Sequence, residues 1–152
     1  MKILAIEHIQ LAMPAGGEKP ARDFYQGILG VPERPKPVHL AGRGGVWFED
    51  GDLKIHLGVD KDFHAARRAH PALLVEDLPA FSARLKAAGH PVIDDEPPPG
   101  YRRIYTEDPF GNRIELIEPL CSPPLDGAGS IAAGSPTPPT RVPPDARRSG
   151  SR

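Results

Sequence analysis

Two stretches of this chain follow the same order of elements, and that repeat restricts the fold more than any other feature. The first opens on a strand from Ile3 to Met13. A helix follows over about Lys19 to Leu29, because Ala21, Phe24, Tyr25, Ile28 and Leu29 recur at helical spacing and Gly30 stops the run. A link rich in proline (Pro32, Pro35, Pro37) leads to short strands expected at Val38 to Ala41, Val46 to Glu49 and Leu53 to Val59. Gly44-Gly45 and Asp50-Gly51-Asp52 are their hairpin turns.

The second stretch opens at Pro71 to Val75, entered through His70. Its helix spans about Leu78 to Ala88, with Asp77 as N-cap, Pro79 in the first turn and Gly89 at the end. Strands are expected at Val92-Ile93, Tyr101 to Thr106 and Asn112 to Ile117. The joint, Asp60 to Ala69, has room for a short helix over Phe63 to Arg68. Each stretch therefore reads β-α-β-β-β. The expected fold is α+β: two βαβββ modules, residues 1–60 and 70–119, forming a cupped mixed β-sheet with the helices outside.

Composition changes after Pro119. Residues 121–152 hold seven Pro, four Gly and five Ser and no aromatic residue, so they are expected to be a disordered tail on a domain of residues 1–120. The formal net charge of −1 gives no electrostatic basis for binding nucleic acid or an anionic membrane. The apolar run Met1 to Ile6 is too short for a signal-peptide core or a membrane span. One cysteine, Cys121, excludes an internal disulfide. A cytoplasmic protein is the expectation.

Strand alternation assigns faces. Ile9, Leu11 and Met13 oppose His8 and Gln10. Ile55 and Leu57 oppose His56. Leu73 and Val75 oppose His70. Ile114 and Leu116 oppose Glu115. The spacing repeats as well: His8 to His56 is 48 residues and His70 to Glu115 is 45. If the modules are copies, each contributes one such group from its first strand and one from its last. Imidazoles with one carboxylate suit a divalent metal such as Zn, Fe, Ni, Co or Mn. The four side chains are expected to converge on one ion, with no Lys or Arg head between them. On the same face, Arg103 and Tyr105 oppose Ile104, and Arg103 could fork onto a carboxylate or phosph(on)ate. Gln10 and Trp47 are further candidate substrate contacts. His39, His64 and His90 are expected to be solvated, and Glu118 to be a surface carboxylate.

Four stretches carry a family resemblance: Glu7-His8-Ile9, Ala21 to Tyr25 with Leu29-Gly30, His70 to Leu78, and Asp108 to Leu116. Through them the chain resembles the vicinal oxygen chelate superfamily, which includes glyoxalase I, extradiol dioxygenases, fosfomycin-resistance enzymes and bleomycin-binding proteins. In metal-using members the first strand of each module supplies a ligand, and so does the closing strand of the second. The resemblance puts those roles on His8, His70 and Glu115. Glyoxalase-like members add a Glu at the position that is His56 here, so His56 is either a fourth ligand or the base.

The resemblance implies a metal-dependent lyase, isomerase or epimerase acting on a small molecule with adjacent oxygens, with His56 and Glu115 as catalytic groups. The alternatives are a ring-cleaving dioxygenase and a metal-free antibiotic-binding protein. A homodimer is expected.

Overall fold

The computed structural model describes residues 1–120, so the expected tail of 121–152 lies outside the described residues. Among the described residues no helix is long and apolar enough to cross a membrane. The first module contains β1 (Ile9–Met13), α1 (Glu18–Ala21), β2 (Glu33–Arg34), α2 (Val38–Ala41), β3 (Val46–Asp50) and β4 (Leu53–Val59). The second contains β5 (Ala72–Leu74), α3 (Leu78–Ala87), β6 (Ile93–Asp94), β7 (Tyr101–Glu107) and β8 (Arg113–Pro119). Each module forms a four-stranded mixed sheet, ordered β1-β4-β3-β2 and β5-β8-β7-β6. In both, the first strand runs parallel to the last and the other pairings are antiparallel. The two modules are topological copies, as the repeated element order requires.

Local chemistry accounts for the helices. α1 runs on into a π-helical segment, Arg22–Ile28. The wider turn reduces the angle between successive side chains, so the adjacent Phe24 and Tyr25 are both fully buried. Gly30 at φ +79° ends it, and the Val31 N–H closes on the Tyr25 carbonyl at 2.9 Å. α3 starts where the Asp77 carboxylate accepts the Ala80 N–H at 2.9 Å. It ends at Gly89, with the His90 N–H on the Leu85 carbonyl at 2.9 Å.

One apolar cluster joins the modules. Leu11, Met13, Phe24, Phe48, Ile55 and Leu57 meet Leu73, Leu85, Ile104, Ile114 and Leu116. Each large side chain removed from water contributes about 1.5–3 kcal/mol. Polar contacts fix the junction. Buried Asn112 donates to the Ala12 carbonyl at 2.8 Å and accepts the Ala66 N–H at 2.9 Å. The Tyr25 hydroxyl donates to Asp108 at 3.0 Å. Burial raises the Asp108 carboxyl above its ordinary range, against four hydrogen bonds that pull it down.

Several local expectations are corrected. Val38–Ala41 is a short helix, not a strand. Phe63 to Arg68 is irregular. The ladder of β1 begins at Ile9, not Ile3. With Ile9 opposite Ile55 and β4 starting at Leu53, residues before Glu7 have no strand beside them. Met1, Ile3, Leu4 and Ile6 are consequently exposed. The proline-rich link carries β2, whose Glu33 and Arg34 pair with Phe48 and Trp47. Glu118 is buried; it takes an ion pair from Arg102 at 2.7 Å and faces the Leu78 N–H at the start of α3.

Candidate functional site

Register brings the ligand-type residues together in pairs. In the first sheet Gln10 lies opposite His56 on β4, and His8 precedes Gln10 by two residues. In the second, Ala72 lies opposite Glu115 on β8, and His70 precedes Ala72 by two residues. His8 is therefore the counterpart of His70, and His56 that of Glu115.

The C-terminal pair is compact. Nε2 of His70 lies 3.1 Å from Oε2 of Glu115, and Glu115 is 6 % exposed. Nδ1 of His70 is 2.8 Å from the Arg68 carbonyl, which fixes that nitrogen as the donor and leaves Nε2 toward the carboxylate. The other oxygen of Glu115 faces Arg103, with Nη1 3.6 Å from Oε1. Arg103 also meets Asp95 at 3.1 Å, while its buried Nε has no partner among the described residues. The ring of Tyr105 stands edge-on to His70, with centroids 5.3 Å apart, and has the guanidiniums of Arg103 and Arg113 over it at 5.2 and 5.0 Å.

The N-terminal pair is a stack. His56 lies between two rings: His8 at 4.5 Å and Trp47 at 4.1 Å between centroids. Nε2 of His56 is 3.1 Å from Oε1 of Glu49. Nδ1 of His8 is held at 2.6 Å by Glu7. Both histidines, each just ahead of the first strand of its module, thus have Nδ1 engaged by a near neighbour. The Glu7 carboxyl is pulled down to about 2, first by Lys54 and then by His8.

The expected convergence of His8, His56, His70 and Glu115 on one point is corrected. Among the described residues no three His, Cys, Asp or Glu side chains are grouped closely enough to hold a metal ion. The reason is architectural: each pair is set by pairing within its own sheet, and nothing hydrogen-bonds β1 to β5. Gln10 and His70 do line one cavity of about 310 Å³ between β1 and the linker. Arg103 beside Glu115 also departs from the expected absence of a cationic head.

Sequence reasoning missed Glu49, Asp95 and Glu7. Alternation on β3 carried the signal for Glu49, which shares a face with Trp47. His90 is half-buried against Phe24, with ring centroids 4.7 Å apart, rather than solvated.

The model of the glyoxalase-like domain family matches residues 10–117. The chain belongs to this family. Its place in the vicinal oxygen chelate superfamily, expected from sequence, is borne out by the same match. This glyoxalase-like chain is 32 % identical over 109 residues to a lactoylglutathione lyase of Haemophilus influenzae, covering 62 % of this chain and 79 % of that one. A crystal structure assigned to the glyoxalase family, from Bacillus anthracis, is 46 % identical, covers 78 % of this chain and 98 % of its own, and superposes with a TM-score of 0.75. The fosfomycin resistance protein FosX of Listeria monocytogenes is 21 % identical with a TM-score of 0.63, covering 77 % of this chain and 94 % of its own. That last likeness concerns the fold alone.

Proposed function

We propose that this chain is a metal-dependent enzyme acting on a small molecule with two adjacent oxygens. It would be a lyase, isomerase or epimerase of the glyoxalase-like kind. The observation that carries this reading is the equivalence of the two pairs. His8 with His56 and His70 with Glu115 occupy the same positions of two copied sheets, on the face opposite the core. Neutral imidazoles and one carboxylate fit a divalent ion by donor type. Each pair is half of a donor set.

His8, His70 and Glu115 would hold the ion, with His56 as a fourth ligand or as the base. The bound ion supplies positive charge to negative charge developing on the adjacent oxygens. The chain's own residues do the rest. Glu49 orients His56 through Nε2, and the His8 and Trp47 rings hold its plane. The other imidazole nitrogen, Nδ1, is then the site that takes a proton from the carbon beside a carbonyl and returns it. Arg103 and Tyr105 would orient the substrate on the C-terminal half.

The two halves would meet in a homodimer. Ile3, Leu4 and Ile6 project past the end of β4 as exposed apolar side chains on the segment that ends in His8. Covering them with a second copy would bring that histidine to a neighbour. Small-molecule chemistry agrees with the net charge of −1, which gives no electrostatic basis for binding nucleic acid.

A second reading is supported by Arg103. Its guanidinium at 3.6 Å gives Glu115 a cationic partner without any metal, as suits a metal-free binding protein. Proton exchange separates the two. Protein loaded with zinc, cobalt or nickel is incubated in deuterium oxide with a panel of α-hydroxy carbonyl compounds, and exchange at the carbon beside the carbonyl is followed by NMR. The enzyme reading expects exchange that needs the metal and is lost in His56→Gln. Tight binding of a panel member by metal-free protein, with no exchange in any loaded form, favours the binder.

A further inference from the structure

A cavity of about 230 Å³ opens at the end of the first sheet, beside the His56 stack. Gln10, Lys36, Arg43, Gly44, Trp47 and Gly58 are among the residues around it. Trp47 belongs to both places: it walls the cavity and stacks on His56 at 4.1 Å. The cavity is therefore one ring's width from the proposed reacting centre.

Gly44 and Gly58 line it, and Gly45 follows in the same turn. A Cβ on Gly45 would come within 2.2 Å of the Leu57 carbonyl oxygen, and one on Gly44 within 2.9 Å of Val59. Both lie at positive φ, +69° for Gly44 and +81° for Gly45, so the turn's geometry alone favours glycine there. Gly58 is different. It sits inside β4 opposite Ala12, with no positive φ to require it. A Cβ there would meet Nε2 of Gln10 at 2.8 Å. A glycine in a strand interior without a conformational need marks close approach of another group. Here that group is the Gln10 amide, which the missing side chain lets lie across the sheet.

The charge is one-sided. Lys36 and Arg43 stand at the cavity, and neither forms an ion pair among the described residues. The Lys36 ammonium donates only to the Gly44 carbonyl among described groups. The nearby carboxylate is Glu18, whose Oε1 accepts the Gly45 N–H at 3.0 Å. That hydrogen bond holds Glu18 below its usual range and keeps it charged, so it offsets one cation and leaves one in excess.

We infer that this cavity binds an anionic group, a carboxylate or a phosph(on)ate, on the substrate whose adjacent oxygens meet the proposed metal site. Lys36 and Arg43 supply the charge, Gln10 a donor amide, and Trp47 a flat wall for the segment between the anion and the reacting carbons. This names a substrate class, a small anionic molecule, and in that respect it rests on the reading given above. The anion site itself is tested without any metal.

Trp47 is the only tryptophan of the chain, so its fluorescence reports from the cavity wall. Metal-free protein is titrated with inorganic phosphate and, separately, with acetate, at constant ionic strength set by chloride. The expected result is a saturable change in emission with at least one of the two. The stronger response tells phosph(on)ate from carboxylate. In Lys36→Gln/Arg43→Gln the apparent affinity should fall about tenfold, the effect of losing charge-assisted hydrogen bonds. In Lys61→Gln, at an exposed turn, it should not change. Gly58→Ala should also weaken binding by moving the Gln10 amide. Arg43 is exposed and Lys36 half-buried outside the apolar core, and an unchanged thermal unfolding midpoint of the double variant confirms that its fold is intact. No saturable response to either anion, or an equal response in the double variant, overturns the inference. Because no metal is present, either result leaves the metal-dependent reading to be judged by its own experiment.

Discussion

Nε2 of His70 lies 3.1 Å from Oε2 of Glu115, although 45 residues separate them in sequence. The closeness follows from a parallel ladder in which Ala72 faces Glu115. The Arg68 carbonyl fixes Nδ1, so Nε2 and the carboxylate are presented together on one face. The same construction one module earlier presents His8 beside His56. Copied sheets thus deliver copied pairs, and the chemistry depends on how the pairs are combined.

Asn112 latches the modules. It is fully buried, and its amide bonds Ala12, Ala66 and Asp108 at once. Asn112→Ala should lower stability by about 2–4 kcal/mol, because partners on three segments lose their bonds together. Urea denaturation with an unchanged m-value checks this. A loss below about 0.5 kcal/mol, the range of an ordinary surface change, would contradict it.

Thr106 shows the opposite case. Its side chain is fully buried on the core face and its hydroxyl has no partner among the described residues. Thr106→Val keeps the shape and removes the orphaned group, so stability should rise by about 1 kcal/mol. Thermal unfolding of the two proteins decides the sign, and a clear fall in midpoint would mean that the hydroxyl is satisfied.

The pair between Arg22 and Glu33 ties the first helix to β2, with two contacts of 2.7 and 3.0 Å. Arg22 holds the Glu33 carboxyl below its ordinary value of 4.5. A lowered carboxylate contributes stability that is fully present above that value and is lost as pH falls below it. Both side chains are partly exposed, so solvent screens the pair to less than about 1 kcal/mol. The stability difference between the unmodified protein and Glu33→Gln should be present at neutral pH and shrink as pH drops below 4.5. A difference that stayed constant into acid, or grew there, would show that the pair is not its source.

Local rules made much of this legible. Asp77 and Gly89 bound α3 as capping chemistry requires, and alternation put Arg103 and Tyr105 on the face of Glu115 and Ile104 in the core. What failed depended on partners distant in sequence. The apolar run Ile3 to Ile6 leads straight into the alternating stretch Ile9 to Met13, and nothing in those residues says that β4 begins only at Leu53. β2 exists because Phe48 and Trp47 offer an edge to Glu33 and Arg34, not because the proline-rich link favours a strand. Glu118 looked solvated because its partner Arg102 lies across a ladder. The four ligand-type residues and their pairing were legible from strand position and from the spacings of 48 and 45 residues. That the two pairs stay apart was not, since it depends on how two sheets sit in one chain.

One metal site served by both pairs should be visible in zinc titration followed by calorimetry. Unmodified protein is compared with Glu115→Gln, His8→Gln and His39→Gln. His39 is exposed on α2 and controls for the loss of an imidazole as such. Glu115→Gln and His8→Gln, from opposite pairs, should each lower zinc affinity at least about tenfold, whereas His39→Gln should leave it unchanged. Equal affinity in Glu115→Gln and the unmodified protein would rule out a shared metal site and put the metal-free binding reading first.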